Sequence, residues 1–136
     1  MAKPEQPPPC PCGSGKRYAD CCAPLHQGAP AADAEALMRS RYSAYVLGLE
    51  DYLLASWHPT TRPARLDLHE DNPPLKWLGL EVKRHVPGIA NDPDHAIVEF
   101  VARCKQGGRA QRLHEISRFV REEGRWYYLT AEYKAS

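Results

Sequence analysis

The sequence predicts an α+β fold, with helices packed on one face of a curled antiparallel sheet and a short cysteine-stapled segment in front of them. Three observations predict it. Apolar residues recur at helical spacing over residues 33–57. From residue 78 onward the period drops to two, broken only by turn residues. Four of the five cysteines crowd into residues 10–22, where almost nothing else is apolar.

The elements follow in order. Residues 1–9 are polar and proline-rich, with Pro4, Pro7, Pro8 and Pro9, and read as an extended arm with no secretory signal. Residues 10–28 offer little beyond Tyr18 and Leu25 to bury, so this stretch needs a staple to hold a shape. Gly28, Ala29 and Pro30 read as a linker, which divides the chain into a unit at 1–28 and a main domain at 29–136. Asp33 is the expected N-cap of the first long helix and Gly48 its stop. Ala34, Leu37, Met38, Tyr45 and Leu49 share one arc of that helix, with Arg41 near its middle. A second helix is expected over 50–57, ending at His58 and Pro59. After an irregular stretch, with a charged loop around Asp67, His69, Glu70 and Asp71, four strands are expected at 78–86, 96–105, 113–121 and 125–133. Gly107 with Gly108 and Glu123 with Gly124 mark the tight turns. Cys104 continues an apolar strand face and reads as a small core residue.

Length and composition bound the function. A chain of 136 residues, 43% hydrophobic and 26% charged, supports one packed core with a small appendage. The formal net charge of +1 supplies no field that would gather nucleic acid or an anionic membrane surface. No run reaches the ~18 consecutive apolar residues of a membrane span. The cytoplasm is the expected compartment, where thiols stay reduced and clustered cysteines serve metals rather than disulfides.

The cluster runs Cys10, Pro11, Cys12, Gly13, Ser14, Gly15, Lys16, Arg17, Tyr18, Ala19, Asp20, Cys21, Cys22. Four thiolates suit a tetrahedral zinc ion and close its coordination sphere, which points to a structural rather than a reactive metal. Gly13, Ser14 and Gly15 let the chain turn sharply and aim N–H groups at sulfur, while Lys16 and Arg17 offset the charge of the thiolates. This string resembles the SEC-C motif, a zinc-binding tail known from a bacterial protein-translocation motor. In some members of that family histidine replaces the last cysteine, which makes His26 a competitor of Cys22 for the fourth position.

A second set of phrases carries a wider resemblance: residues 37–45, 57–63, 77–80 and 114–119, and Gly124 with Arg125, Trp126, Tyr127 and Tyr128. Together with the N-terminal motif they are similar to the bacterial YchJ family. That resemblance implies a fold like nuclear transport factor 2 and the SnoaL-type proteins, a cone of curved sheet closed by helices. Some members carry a second SEC-C motif at the C-terminus, which this sequence, ending at Ser136, does not show. The fold hosts isomerases, dehydratases, hydrolases and non-catalytic binding modules, so function must be argued from residues.

Arg41 points with Leu37, Met38 and Tyr45 toward the sheet, and a guanidinium entering a core needs acceptors. Glu115 is the expected partner, as a buried ion pair at the base of the cone, on a face shared with Ser117. Tyr42, Tyr45, Trp57, His58 and Trp126 are expected to line the same pocket. No nucleophile elbow, phosphate-cradling loop or acyl-transfer order is present, and no catalytic residue is assigned. The leading expectation is a zinc-binding interaction module whose knuckle, through Lys16, Arg17 and Tyr18, docks a protein or the ribosome. The alternative is an enzyme or small-molecule carrier using the cone pocket. A homodimer through the sheet face bearing Ile97, Glu99 and Val101 is a further expectation.

Overall fold

The computed structural model describes residues 9–68, 75–89 and 91–133. Most of the proline arm, and His69, Glu70 and Asp71 of the charged loop, lie outside those residues. A 3₁₀ turn (Tyr18–Asp20) and a one-turn helix α1 (Ala23–His26) follow the first cysteines, and then come α2 (Ala34–Leu47), α3 (Glu50–Ala55) and four strands, β1 (Leu75–Val86), β2 (His95–Gln106), β3 (Arg109–Glu122) and β4 (Arg125–Tyr133).

Local chemistry sets the helix bounds. The Asp33 carboxylate accepts from the Ala36 backbone N–H at 2.8 Å, and Gly48 ends α2 at φ 74°, where a side chain would be strained. Helix α3 stops two residues short of the expected end because β4 captures the chain beyond it. The Tyr128 N–H donates to Ser56 O at 2.8 Å and the His58 N–H to Tyr128 O at 2.7 Å.

The four strands form one antiparallel meander in the order β1-β2-β3-β4. Gly107 and Gly108 both take positive φ, 58° and 81°, as do Glu123 and Gly124 at 52° and 77°. Two consecutive left-handed residues match the twist of the flanking strands, so Gln106 pairs at once with Arg109. Strand β3 therefore starts four residues before its expected beginning at Leu113. Register shifts between Trp77 and Gly79, Val82 and Arg84, and Arg118 and Phe119 bend the sheet.

The concave face carries Ala96, Val98, Ala102, Cys104, Ser117 and Phe119, all buried. Helix α2 lies across it, burying Met38, Arg41 and Tyr42. The same helix also buries Ser40 and Ser43, which a soluble amphipathic helix would leave to water. Ser40 bonds Tyr52 Oη of α3 at 2.6 Å, and the cysteine segment covers Ser43: Cys10, Cys12 and Cys22 belong to one core cluster with Leu37, Met38, Tyr42, Phe119 and Trp126. Helix α2 is thus sandwiched between sheet and cysteines. On the convex face Val101 is buried, and Glu99 lies between His114 at 2.7 Å and Arg84 at 3.3 Å. No helix among the described residues is long and apolar enough to cross a membrane.

Candidate metal centre and the aromatic cavity

The cysteine segment folds back on itself before it meets α2. Pro9 and Arg17 form an antiparallel bridge, the Cys10 N–H donates to Lys16 O at 2.9 Å, and the Gly13 N–H donates to Cys10 O at 3.2 Å. Gly13 and Gly15, at φ 78° and 86°, make the reversal possible. Cys22 then starts α1, with Pro24 in its first turn. The result is four sulfurs lying within 4.8 Å of one another. Cys12 Sγ and Cys21 Sγ stand 3.6 Å apart, and Cys21 Sγ and Cys22 Sγ 3.9 Å. A tetrahedral zinc–thiolate site, with metal–sulfur bonds of ~2.3 Å, needs sulfur–sulfur edges of ~3.8 Å, so the donor set fits that ion. Cys10, Cys12 and Cys22 are buried and Cys21 is partly exposed.

The surroundings favour negative sulfur. Ser14 Oγ lies 3.1 Å from Cys21 Sγ, and from α2 the Ser43 hydroxyl donates to Cys22 Sγ at 3.3 Å and lies 3.5 Å from Cys10 Sγ. Arg39 Nη1 donates to Cys12 O at 2.9 Å, bringing a guanidinium to the loop. The hydrogen bond from the neighbouring Cys22 thiol holds Cys12 down at about 4, against its burial. The same bond, with burial, pushes Cys22 far up, and burial raises Cys21. Thiols this close do not all ionise unaided; a divalent cation at their centre lets them. Should the four sulfurs hold zinc, replacing Ser43 by alanine is expected to weaken its binding by about 10- to 100-fold, read by competition with a chromophoric chelator.

His26 does not compete for the fourth position. Its Nε2–H donates to Ser40 O at 2.8 Å, which leaves Nδ1 to accept the Tyr18 hydroxyl at 2.7 Å. With both nitrogens spent it braces α1 against α2, and burial lowers its pKa. Tyr18 is accordingly half-buried, whereas Lys16 and Arg17 are exposed.

The second concentration of chemistry is a cavity of about 260 Å³ between α2 and the concave sheet face. Arg41, Tyr42, Tyr45, Trp57, Glu115 and Ser117 all line it. Trp77, Phe100, Leu113, Phe119, Tyr128 and Tyr133, which were not among the expected pocket residues, line it too. Strand alternation was the available signal for Tyr128, two residues from Trp126 on the same side of β4, and for Trp77, just before the expected start of β1.

Three expectations need correction. Arg41 forms no ion pair with Glu115: its Nη1 donates to Leu53 O at 2.8 Å and Ser56 Oγ at 2.7 Å, and the guanidinium sits 4.4 Å from the Tyr128 ring centre and 5.0 Å from that of Trp57. The end of α3 and two aromatic faces reach it before the carboxylate does. Glu115 instead takes a hydrogen bond from Tyr133, with burial raising its pKa. His58 is absent from the cavity wall. The bridge between Trp57 and Tyr128 carries the chain across the sheet end, so its Nε2 donates to Glu122 Oε1 at 2.8 Å while Nδ1 lies 2.7 Å from Thr60 Oγ1. Trp126 sits at the start of β4 covered by α1 and α3, beside Leu25, His26, Leu37, Tyr52 and Ala55, and under the Arg121 guanidinium at 5.3 Å.

Comparison with known proteins adds identity to this geometry. Residues 33–131 match the family model described as YchJ, middle NTF2-like domain, and residues 9–24 match the SEC-C motif. A UPF0225 protein of Chromobacterium violaceum is 62% identical over 122 residues, covering 89% of this chain and 90% of its own. A UPF0225 protein of Bordetella parapertussis is 54% identical over 132 residues, covering 95% and 96%. Among solved structures, a SEC-C motif containing protein from Rhodopseudomonas palustris superposes with a TM-score of 0.77 at 39% identity, over 93% of this chain and 98% of that one. One from Psychrobacter arcticus gives 0.76 at 32% identity, over 96% and 84%. With a nuclear-transport-factor-2-like cone and a SEC-C segment packed on its long helix, this chain belongs to the UPF0225 (YchJ) family.

Proposed function

We propose that the chain is a cytoplasmic, zinc-stabilised interaction module in which Cys10, Cys12, Cys21 and Cys22 hold one structural zinc ion and the exposed side of the cysteine loop docks a protein partner. The observation that carries this reading is the convergence of four sulfurs to within 4.8 Å, three of them buried. Four thiolates leave no open coordination position, so the ion shapes the loop and does not activate water or substrate. What the loop offers outward is Lys16 and Arg17, with Arg17 also paired to Asp20 at 2.7 Å. A compact, mixed-charge rim on a rigid base suits an acidic segment of a protein better than a polyanion, whose capture needs many more cations.

The experiment has two parts. Metal analysis of reduced, purified chain is expected to give one zinc per molecule, and sub-stoichiometric zinc would end the structural-zinc reading. A lysate pull-down with the parent chain and a Lys16→Glu/Arg17→Glu double variant is expected to show partners captured by the parent and lost by the variant, whose melting temperature stays within about 2 °C because exposed charges contribute little to stability. Equal capture by both places docking elsewhere.

A further inference from the structure

Arg41 is the least explained charge among the described residues. It is 6% exposed, and no carboxylate of the described residues lies within ion-pair distance of it. Among the described residues only Nη1 finds acceptors, both of them neutral. Its Nε and Nη2 edge has no acceptor among the described residues, on a side chain that lines the aromatic cavity. Burial lowers its pKa, yet a guanidinium keeps its proton in proteins. A buried cation held by two neutral oxygens and two ring faces is under-compensated, and a planar oxyanion is its natural complement.

The walls restrict which anion fits. They are mainly aromatic, so a hydrated dianion such as phosphate would lose its water shell without replacement. Glu115 lies in the same cavity and opposes a second negative charge. At about 260 Å³ the space falls just below the ~300 Å³ at which drug-sized sites begin. Tyr133, 71% exposed and bonded to Glu115, stands at the rim.

We propose that this cavity binds a small monocarboxylate with a flat or branched apolar body, the carboxylate lying along the Nε–Nη2 edge of Arg41 and the body packed among Tyr42, Trp77, Phe100 and Phe119. The side-on edge of a guanidinium presents two parallel N–H donors, the geometry a carboxylate accepts in bidentate fashion. This site stands apart from the cysteine loop and survives or fails independently of the docking role.

The test is an NMR titration of the zinc-loaded full chain, following Arg Nε–H and backbone amide signals, with benzoate, phenylacetate and neutral benzamide as probes. Benzoate or phenylacetate is expected to saturate with a Kd on the order of 1 mM, moving the Arg41 Nε signal, and benzamide to bind at least about tenfold more weakly. Arg41→Met keeps the volume and removes the charge. It is expected to retain the fold, since apolar replacement of a buried charge is tolerated, and to lose carboxylate binding. Glu115→Gln removes the opposing carboxylate and is expected to tighten benzoate binding by about threefold or more. The proposal is overturned if neither carboxylate saturates by about 50 mM, if benzamide matches benzoate, or if folded Arg41→Met binds as the parent does. Should Arg41→Met not fold, the benzamide comparison and Glu115→Gln still decide.

Discussion

With zinc held by the four cysteines as proposed, its removal by a strong chelator is expected to lower the melting temperature by at least about 10 °C and to dissolve the cooperative core, not merely the cysteine loop. The reason lies in the packing. Cys10, Cys12 and Cys22 sit in the same buried cluster as Leu37, Met38, Tyr42, Phe119 and Trp126. The sulfurs cover Ser43 on α2, which lies 3.5 Å from Cys10 Sγ and donates straight to Cys22 Sγ. Without a cation the four thiols repel ionisation of one another, the loop opens, and that side of α2 is left facing water. Structural zinc contributes on the order of 10 kcal/mol to the folding of a small site, comparable with the whole ~5–15 kcal/mol stability of a domain. Even a third of that shifts the transition of a chain this size by about 10 °C. Calorimetry together with tryptophan fluorescence checks it, because Trp57, Trp77 and Trp126 all lie in the main domain. An unchanged transition in verified metal-free chain would mean that the loop is a detachable appendage.

That coupling marks the boundary of what the sequence discloses. Features written in neighbouring residues were legible: the Asp33 cap, the Gly48 stop, the turns at Gly107 with Gly108 and Glu123 with Gly124, and the presence of four strands. The cysteine set was legible because the whole string from Cys10 to Cys22 resembles the SEC-C motif; its spacing alone is a weaker signal. Features that depend on distant residues were not. Ser43 looks like an ordinary polar helix residue until sulfurs 21 and 33 positions away pack on it. Arg41 was legible as a buried cation, since it falls in the middle of an apolar arc. Its partners were misread because charge complementarity suggests a carboxylate, whereas a backbone carbonyl, a serine and two ring faces leave no mark in a sequence. His58 was misplaced for a related reason: the bridge between Trp57 and Tyr128 turns it toward Glu122, and that bridge joins segments about 70 residues apart.

The second large effect is expected at Phe119. Replacing it with alanine should destabilise the chain by about 3–5 kcal/mol, seen in urea as a lowered midpoint with little change of slope. Phe119 is 1% exposed at the centre of the concave face, belongs to the main core cluster, and meets Tyr128 edge-on at 5.8 Å and 72°. Deleting the ring removes its transfer energy and leaves a void beside a space of about 260 Å³ that already exists, so collapse of the walls can recover little. The loss also reaches Arg41, because Tyr128 carries the ring face on which that guanidinium rests. A loosened Tyr128 should weaken carboxylate binding along with stability. Leu78→Ala supplies the contrast: Leu78 is 52% exposed at the bulge in β1 and should change stability by no more than about 0.5 kcal/mol. If the two variants unfold at the same urea concentration, the concave face is not the core that this architecture requires.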